Sequence, residues 1–287
     1  MTDISQAVEL IRPSIVQIGV FALWRPIKAR RVGMPFAHLA LGTGFLVGGA
    51  YVVTARHVVD VAYGMAAQIA AEKTAREVSV HVGFPSATNE TYRGIFGLEA
   101  FDIVETDEVH DLALLRLLRD PTVSPLSDEE REKLESLQEN SPAVLYSERP
   151  VDGVAIGVSG YPLEESVLIT NAGVLASGWA SDKGRASAEE DSYVKHDRYL
   201  GDIVANPGNS GGPVYLAEKA WVIGVCVAGR QIETSDDQGQ PNPDVLQKSG
   251  ITVIVPSTYV IEMLERHHVP FHEAPKQPKH DGVPEAT

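Results

Sequence analysis

The sequence predicts an all-β protein, a sandwich or a barrel, with a few helices set among its strands. Two observations point there. Short runs rich in Val, Ile and aromatic residues recur along the chain, bounded by Gly, Pro and Asn. Strands do not alternate with long amphipathic helices, so a parallel α/β sheet is excluded, and no repeat of fixed period is visible.

Taken in order, the predicted strands are Ser14 to Val20, Gly44 to Thr54, Val78 to Gly83, Leu112 to Leu117, Val154 to Gly160, Pro213 to Leu216, Trp221 to Ala228 and Ile251 to Val255. Three helices interrupt them. The first, Gly64 to Glu77, is Ala-rich. The second, Asp128 to Gln138, follows Ser127 as N-cap with Glu130 three residues on, a capping box. The third, Thr258 to His267, follows Pro256-Ser257 and sets Val260, Ile261 and Leu264 on one face. Beyond Pro270 the chain is Pro-rich and polar, which predicts a disordered tail over 271–287. Ser181 to Arg198 and Arg230 to Ser249 read as long polar surface loops.

Composition narrows the function classes. The 287 residues are 44% hydrophobic, enough for a sizeable core, and the net charge of −15 argues against a general nucleic-acid binder. The local basic stretch around Trp24, with Arg25, Lys28, Arg30 and Arg31, reads as a solvated loop. The most apolar later stretch, Ala220 to Ala228, is under half of the roughly 20 residues that span a bilayer. The N-terminus carries Asp3 and Glu9 where a secretory signal has basic residues. A single cysteine, Cys226, makes no intrachain disulfide. Together these predict a soluble cytoplasmic protein that contacts neither nucleic acid nor membrane. No Cys or His cluster has metal-ligand spacing, so no metal and no cofactor is expected.

The chemistry concentrates in three segments. Asn206-Pro-Gly-Asn-Ser-Gly-Gly-Pro213 surrounds Ser210 with small residues, a turn that can present a hydroxyl while backbone N–H groups converge on one point. A Gly-rich surface turn is the bland alternative. The nucleophile elbow of α/β-hydrolases needs a helix after the serine, but here Pro213-Val-Tyr-Leu starts a strand. Upstream, Val52 to Val58 (VVTARHV) reads as a strand ending at His57, and His110-Asp111-Leu-Ala-Leu-Leu places Asp111 at the opening of an apolar strand. Singly, each is an ordinary strand-end residue. Joined in the order His, Asp, Ser, they form a nucleophilic constellation.

The segments TARHV, DLALLRL and GNSGGP resemble the catalytic boxes of the trypsin-like (chymotrypsin-fold) serine peptidases. The disulfide-free bacterial members with an HtrA-type catalytic domain are the most similar. Gly42-Thr-Gly-Phe, Gly201-Asp202 and Val253-Ile-Val-Pro-Ser257 extend the resemblance over roughly residues 10 to 268. It implies two antiparallel β-barrels of six-stranded type and a C-terminal helix. An N-terminal barrel over 10–122 carries His57 and Asp111. A crossover with a short helix spans 123–142, a second barrel over 143–256 carries Ser210, and the helix spans 257–268. No length remains for a PDZ domain, so an HtrA-like chain without one is expected.

The resemblance also implies an endopeptidase, intracellular and bacterial, acting on protein or peptide substrates. Ser210 would be the nucleophile, His57 the general base and Asp111 its orienting partner. The N–H groups of Gly208 and Ser210 would form the oxyanion hole. Val204 would lie at the base of the specificity pocket, with Val227 on the substrate-binding strand and Gly229 and Gly250 as its walls. An apolar base implies cleavage after small or medium apolar residues. Asn209 stands where zymogen-activated members have an aspartate, so activation by N-terminal clipping is not expected. Val227 replaces a serine that commonly supports the triad aspartate, and Ala228 replaces a large aromatic. Val227 and the long polar loops motivate a rival: a catalytically silent, peptidase-like binding module. A regulatory protein partner that switches the enzyme on is a further expectation.

Overall fold

The computed structural model describes residues 4–24, 36–72, 75–85, 95–118, 142–162, 167–182, 196–235 and 241–276. After a short helix α1 (Ser5–Ile11) and a 3-10 turn, seven strands form the first sheet. They are β1 (Ile15–Trp24), β2 (Phe36–Gly48), β3 (Tyr51–Ala55), β4 (Ala75–Pro85), β5 (Ile95–Glu99), β6 (Phe101–Asp107) and β7 (Leu112–Leu117), in the order β5-β4-β1-β2-β3-β7-β6. In β1 the alternate set Val16, Ile18, Val20 and Ala22 is buried, and Ile15 and Gln17 on the opposite face are covered too. The continuous apolar run of β7 matches a strand covered on both sides, since Leu112 to Leu115 are all buried.

The second sheet contains β8 (Val144–Leu145), β9 (Ala155–Gly160), β10 (Ile169–Asp182), β11 (His196–Asp202), β12 (Pro213–Leu216), β13 (Val222–Ser235), β14 (Pro241–Pro256) and β15 (His272–Glu273). The order β12-β9-β10-β11-β14-β13 returns to β12 through a β12–β13 pairing, which closes a six-stranded barrel. The two-residue strands β8 and β15 attach beside β13 by parallel pairing. The fold is therefore two barrel-like β-sheets, one closed and one without a closing pairing among the described residues. A helix α3 (Ser257–Arg266) follows β14 and turns Val260, Ile261, Met263 and Leu264 inward. One hydrophobic cluster runs from the first sheet through Leu145, Tyr161, Tyr215, Val222 and Val225 of the second to Leu264 of α3. Each sheet thus buries part of the other.

Several expectations are corrected. The predicted strand Gly44 to Thr54 is a hairpin, β2 and β3, folded at the Gly49-Ala50 turn. The first predicted helix, 64–77, begins eight residues earlier: α2 spans Arg56–Ala71, and β4 already starts at Ala75. His57 therefore sits in the first turn of a helix rather than at a strand end. Positions 58, 62, 65, 66 and 69 of α2 pack inward at helical spacing, which the β-branched pair Val58-Val59 disguises. The segment Arg230 to Ser249 is no loop over most of its length. β13 and β14 continue as a two-stranded ribbon with Gln231 opposite Lys248 and Ser235 opposite Pro241. Likewise β10 runs to Asp182 and pairs with His196 of β11. Within the tail predicted as disordered, His272 and Glu273 pair with β8, and Ala274 is buried. The helix predicted over 128–138 lies outside the described residues.

Candidate active site

The site forms where α2 and the β6–β7 turn of the first sheet meet the loop between β11 and β12 of the second. Its histidine is placed by an unusual cap. α2 has no side-chain cap of its own at Ala55. Instead Asp111, 54 residues further along the chain, satisfies the helix start. Its carbonyl accepts the Arg56 N–H at 3.0 Å, and its carboxylate Oδ1 accepts the His57 N–H at 2.9 Å. Free N–H groups and the helix dipole both favour a carboxylate there. The second oxygen, Oδ2, lies 2.6 Å from His57 Nδ1. One aspartate thus starts the helix and fixes the imidazole, which donates its Nδ1–H to Oδ2 and turns Nε2 away from the carboxylate. Asp111 adopts φ +57, a left-handed conformation that Asp tolerates better than most residues.

The serine loop is held by Thr43 of β2, which is fully buried. The Thr43 N–H donates to the Ser210 carbonyl at 2.9 Å, and its hydroxyl donates to the Gly208 carbonyl at 2.6 Å. Thr43 Oγ1 in turn accepts the Tyr161 N–H at 3.0 Å, and the Thr43 carbonyl accepts the Thr54 hydroxyl at 2.7 Å. This residue therefore stitches the serine loop to both sheets. Gly211 shows how closely the loop approaches the histidine segment: a β-carbon there would lie 2.8 Å from the Ala55 nitrogen.

Gly208 has φ +98, and a β-carbon on it would lie 2.4 Å from the Tyr161 carbonyl oxygen, so only glycine fits. Among the described residues, neither the Gly208 N–H nor the Ser210 N–H donates a hydrogen bond within the chain. Asn209 between them is fully buried, with neither amide atom hydrogen-bonded. No carboxylate stands there to receive a new N-terminus.

The structure brings His57 and Asp111 into direct contact. Ser210 stands differently. Its hydroxyl lies 3.5 Å from the Val227 carbonyl, at the limit of a hydrogen bond, and among the described residues no hydrogen bond joins it to the imidazole. Val204 is half exposed at the end of the segment after β11, Val227 is buried, and Gly229 and Gly250 are both exposed. A β-carbon on Gly229 would meet only the Ala205 carbonyl, at 3.5 Å, and one on Gly250 would meet nothing, so the space beside each is open. Cys226 is buried on β13 and burial pushes its thiol up to about 12, which makes it a core residue. The capping role of Asp111 and the stitching role of Thr43 escaped sequence reasoning, because each joins residues far apart in the chain.

Comparison with known proteins follows the same lines. The model of the trypsin-like peptidase domain matches residues 42–225. No curated protein sequence matches. Among solved structures, the chain is similar to the HtrA-type protease AlgW with a decapeptide, at 18% identity and a TM-score of 0.57. That alignment covers 92% of this chain and 66% of AlgW, so the chain spans about two thirds of that relative's length. It is also similar to the Rv3671c protease from M. tuberculosis in its active form, at 17% identity and a TM-score of 0.52, covering 93% of this chain and 86% of the other. At these identities the likeness establishes the shared fold.

Proposed function

The chain belongs to the trypsin-like peptidase family, and from that membership we propose that it is a serine endopeptidase working through His57, Asp111 and Ser210. The observation that carries the reading is the double contact of Asp111 with His57, through the helix N–H and the ring Nδ1. With Nδ1–H committed to the carboxylate, Nε2 keeps its lone pair and can take the Ser210 proton as Oγ attacks a peptide carbonyl. The Gly208 and Ser210 N–H groups receive the oxyanion, each donor contributing roughly 10²–10³ in kcat. The imidazolium then protonates the leaving amine, and water clears the acyl-enzyme by the same route in reverse. Asp111 stays a carboxylate throughout and stabilises the imidazolium.

Substrate selection follows from the pocket. Val204 offers no counter-charge for Lys or Arg, and Gly229 and Gly250 leave room, which favours cleavage after small or medium apolar residues. A peptide library digested by the purified chain should show Ala, Val or Leu before the cut. Dominant cleavage after Lys or Arg would refute the pocket. The peptide bound to AlgW supports a peptide substrate for a site of this fold.

The silent-module reading draws on one observation: Ser210 Oγ faces the Val227 carbonyl and makes no hydrogen bond to His57. Triad hydrogen bonds often tighten only when substrate binds, so the apo geometry is compatible with an enzyme. A partner that orders the loop on binding would reconcile the two. A chain that degrades casein freely on its own would remove the need for such a partner.

A further inference from the structure

Asp111 has a left-handed backbone in a four-residue turn, 108–111, and every residue of that turn is anchored from outside it, to α2, β11, β6 or α3. Arg56 of α2 holds Glu108 at 3.1 Å. Arg198 of β11, buried, donates from Nη2 to the Val109 carbonyl at 2.9 Å. Asp107, which ends β6, accepts the His110 N–H on Oδ1 at 3.0 Å and lies 2.6 Å from His110 Nδ1 through Oδ2. Tyr259 of α3 stacks on the His110 ring, centroids 3.8 Å apart and planes 21° from parallel. Asp111 completes the turn on the start of α2.

The Asp107–His110 pair repeats the contacts of Asp111 with His57: one carboxylate oxygen takes the histidine N–H and the other faces its Nδ1. Both members are mostly buried. Burial pushes the Asp107 carboxyl up, but the hydrogen bonds from the His110 ring and N–H outweigh it and hold the group below the usual carboxylate range. Two residues before Asp107, on β6, the same hairpin is tied again at the end of α3, where Arg266 and the following His267 each reach the Glu105 carboxylate at 2.6 Å. The terminal helix thus grips the hairpin at two levels, and the grip closest to the site bears on the residue before Asp111.

We propose that Asp107 and His110, backed by Tyr259, are positioning residues that hold the turn so that the Asp111 carboxylate meets His57. A left-handed Asp persists only where the surrounding structure over-determines it, and these contacts are the local surroundings. Releasing them lets the turn relax, and a misplacement of about 1 Å in such a group costs on the order of 10²-fold in rate. The inference rests on the triad reading for its effect on rate, but its geometry can be read without any turnover.

The experiment combines two readouts on Asp107→Asn. The first is proton NMR of the full chain, where the Nδ1–H of His57 held at 2.6 Å gives a far-downfield resonance, assigned by its loss in His57→Gln. The second is the rate of labelling by a fluorophosphonate probe. Asp107→Asn should shift or broaden the His57 resonance and slow labelling by about 10- to 100-fold. In an Asp111→Asn background the same change should alter the rate less than about twofold, because nothing remains to position. General structural damage would instead slow both backgrounds alike. An unshifted His57 resonance with an unchanged labelling rate overturns the proposal. A shifted resonance in a chain that is never labelled keeps the positioning and removes the peptidase reading. If Asp107→Asn does not fold, His110→Gln, which removes the ring between Asp107 and Tyr259 and keeps the residue 110 N–H, is read by the same two measurements.

Discussion

Asp111→Asn tests the site with a single atom exchanged. Asp111 Oδ1 faces the His57 backbone N–H, a group that only donates, at 2.9 Å. The asparagine must therefore keep its carbonyl oxygen at that position and turn its NH₂ toward Nδ1, where Oδ2 stood at 2.6 Å. Nδ1 is forced to accept, its proton moves to Nε2, and the imidazole can no longer receive the Ser210 proton. Removing the correct tautomer costs about 10⁴ in kcat, or about 5.4 kcal/mol at 1.36 kcal/mol per tenfold. The fold should hardly notice. Asn tolerates the φ of +57, and the Arg56 N–H to residue 111 carbonyl bond survives. The assay is the second-order rate of fluorophosphonate labelling, with thermal unfolding as the control for structure. A variant that unfolds normally and keeps more than about a tenth of the wild-type rate would refute the reasoning.

Two further predictions concern neighbouring elements. Gly208→Ala drives a β-carbon to 2.4 Å from the Tyr161 carbonyl oxygen and 2.8 Å from Pro162 Cα, both backbone atoms, so the loop must move. kcat should fall by roughly 10²–10³ as the donor leaves its place, and a variant with unchanged kcat would show that this N–H is not part of the hole. In the first sheet, His38 is held near a pKa of about 4, by burial first and by the charge of His81 second. The unfolded chain binds a proton there below about 6.5 that the folded chain refuses until about 4, so stability falls as pH drops through that window and levels off below it. The loss is on the order of 3 kcal/mol, read from urea midpoints at pH 7 and pH 4.5. His38→Gln should reduce it and leave the part due to His81, which burial also holds below its usual pKa, and an identical acid loss in the variant would assign the effect elsewhere.

The strands of the two barrel cores were legible because a half-buried or fully buried strand must display its apolar residues, as β7 and β9 do. The ribbon of β13 and β14 beyond Gly229 was not, since its sequence from Arg230 to Ser249 is polar and shows no apolar period to mark the paired strands. The start of α2 was hidden for another reason. Its cap is Asp111, so the local sequence around Ala55 contains no capping signal and the Val58-Val59 pair suggests a strand. For the site, residue types and chain order pointed to His57, Asp111 and Ser210, and the structure adds the His57–Asp111 contact. The roles of Thr43, Asp107 and Tyr259 depend on contacts between distant segments, and only the Asp107–His110 spacing of three residues lay open to view.

The most direct test of the central claim is the site of modification by a fluorophosphonate probe, read by intact mass and peptide mapping. The expected result is one adduct per chain, on Ser210, lost in Ser210→Ala and slowed in Asp111→Asn. A folded wild-type chain that takes up no adduct, with or without peptide or candidate partner present, would contradict it and leave a peptidase scaffold used for binding.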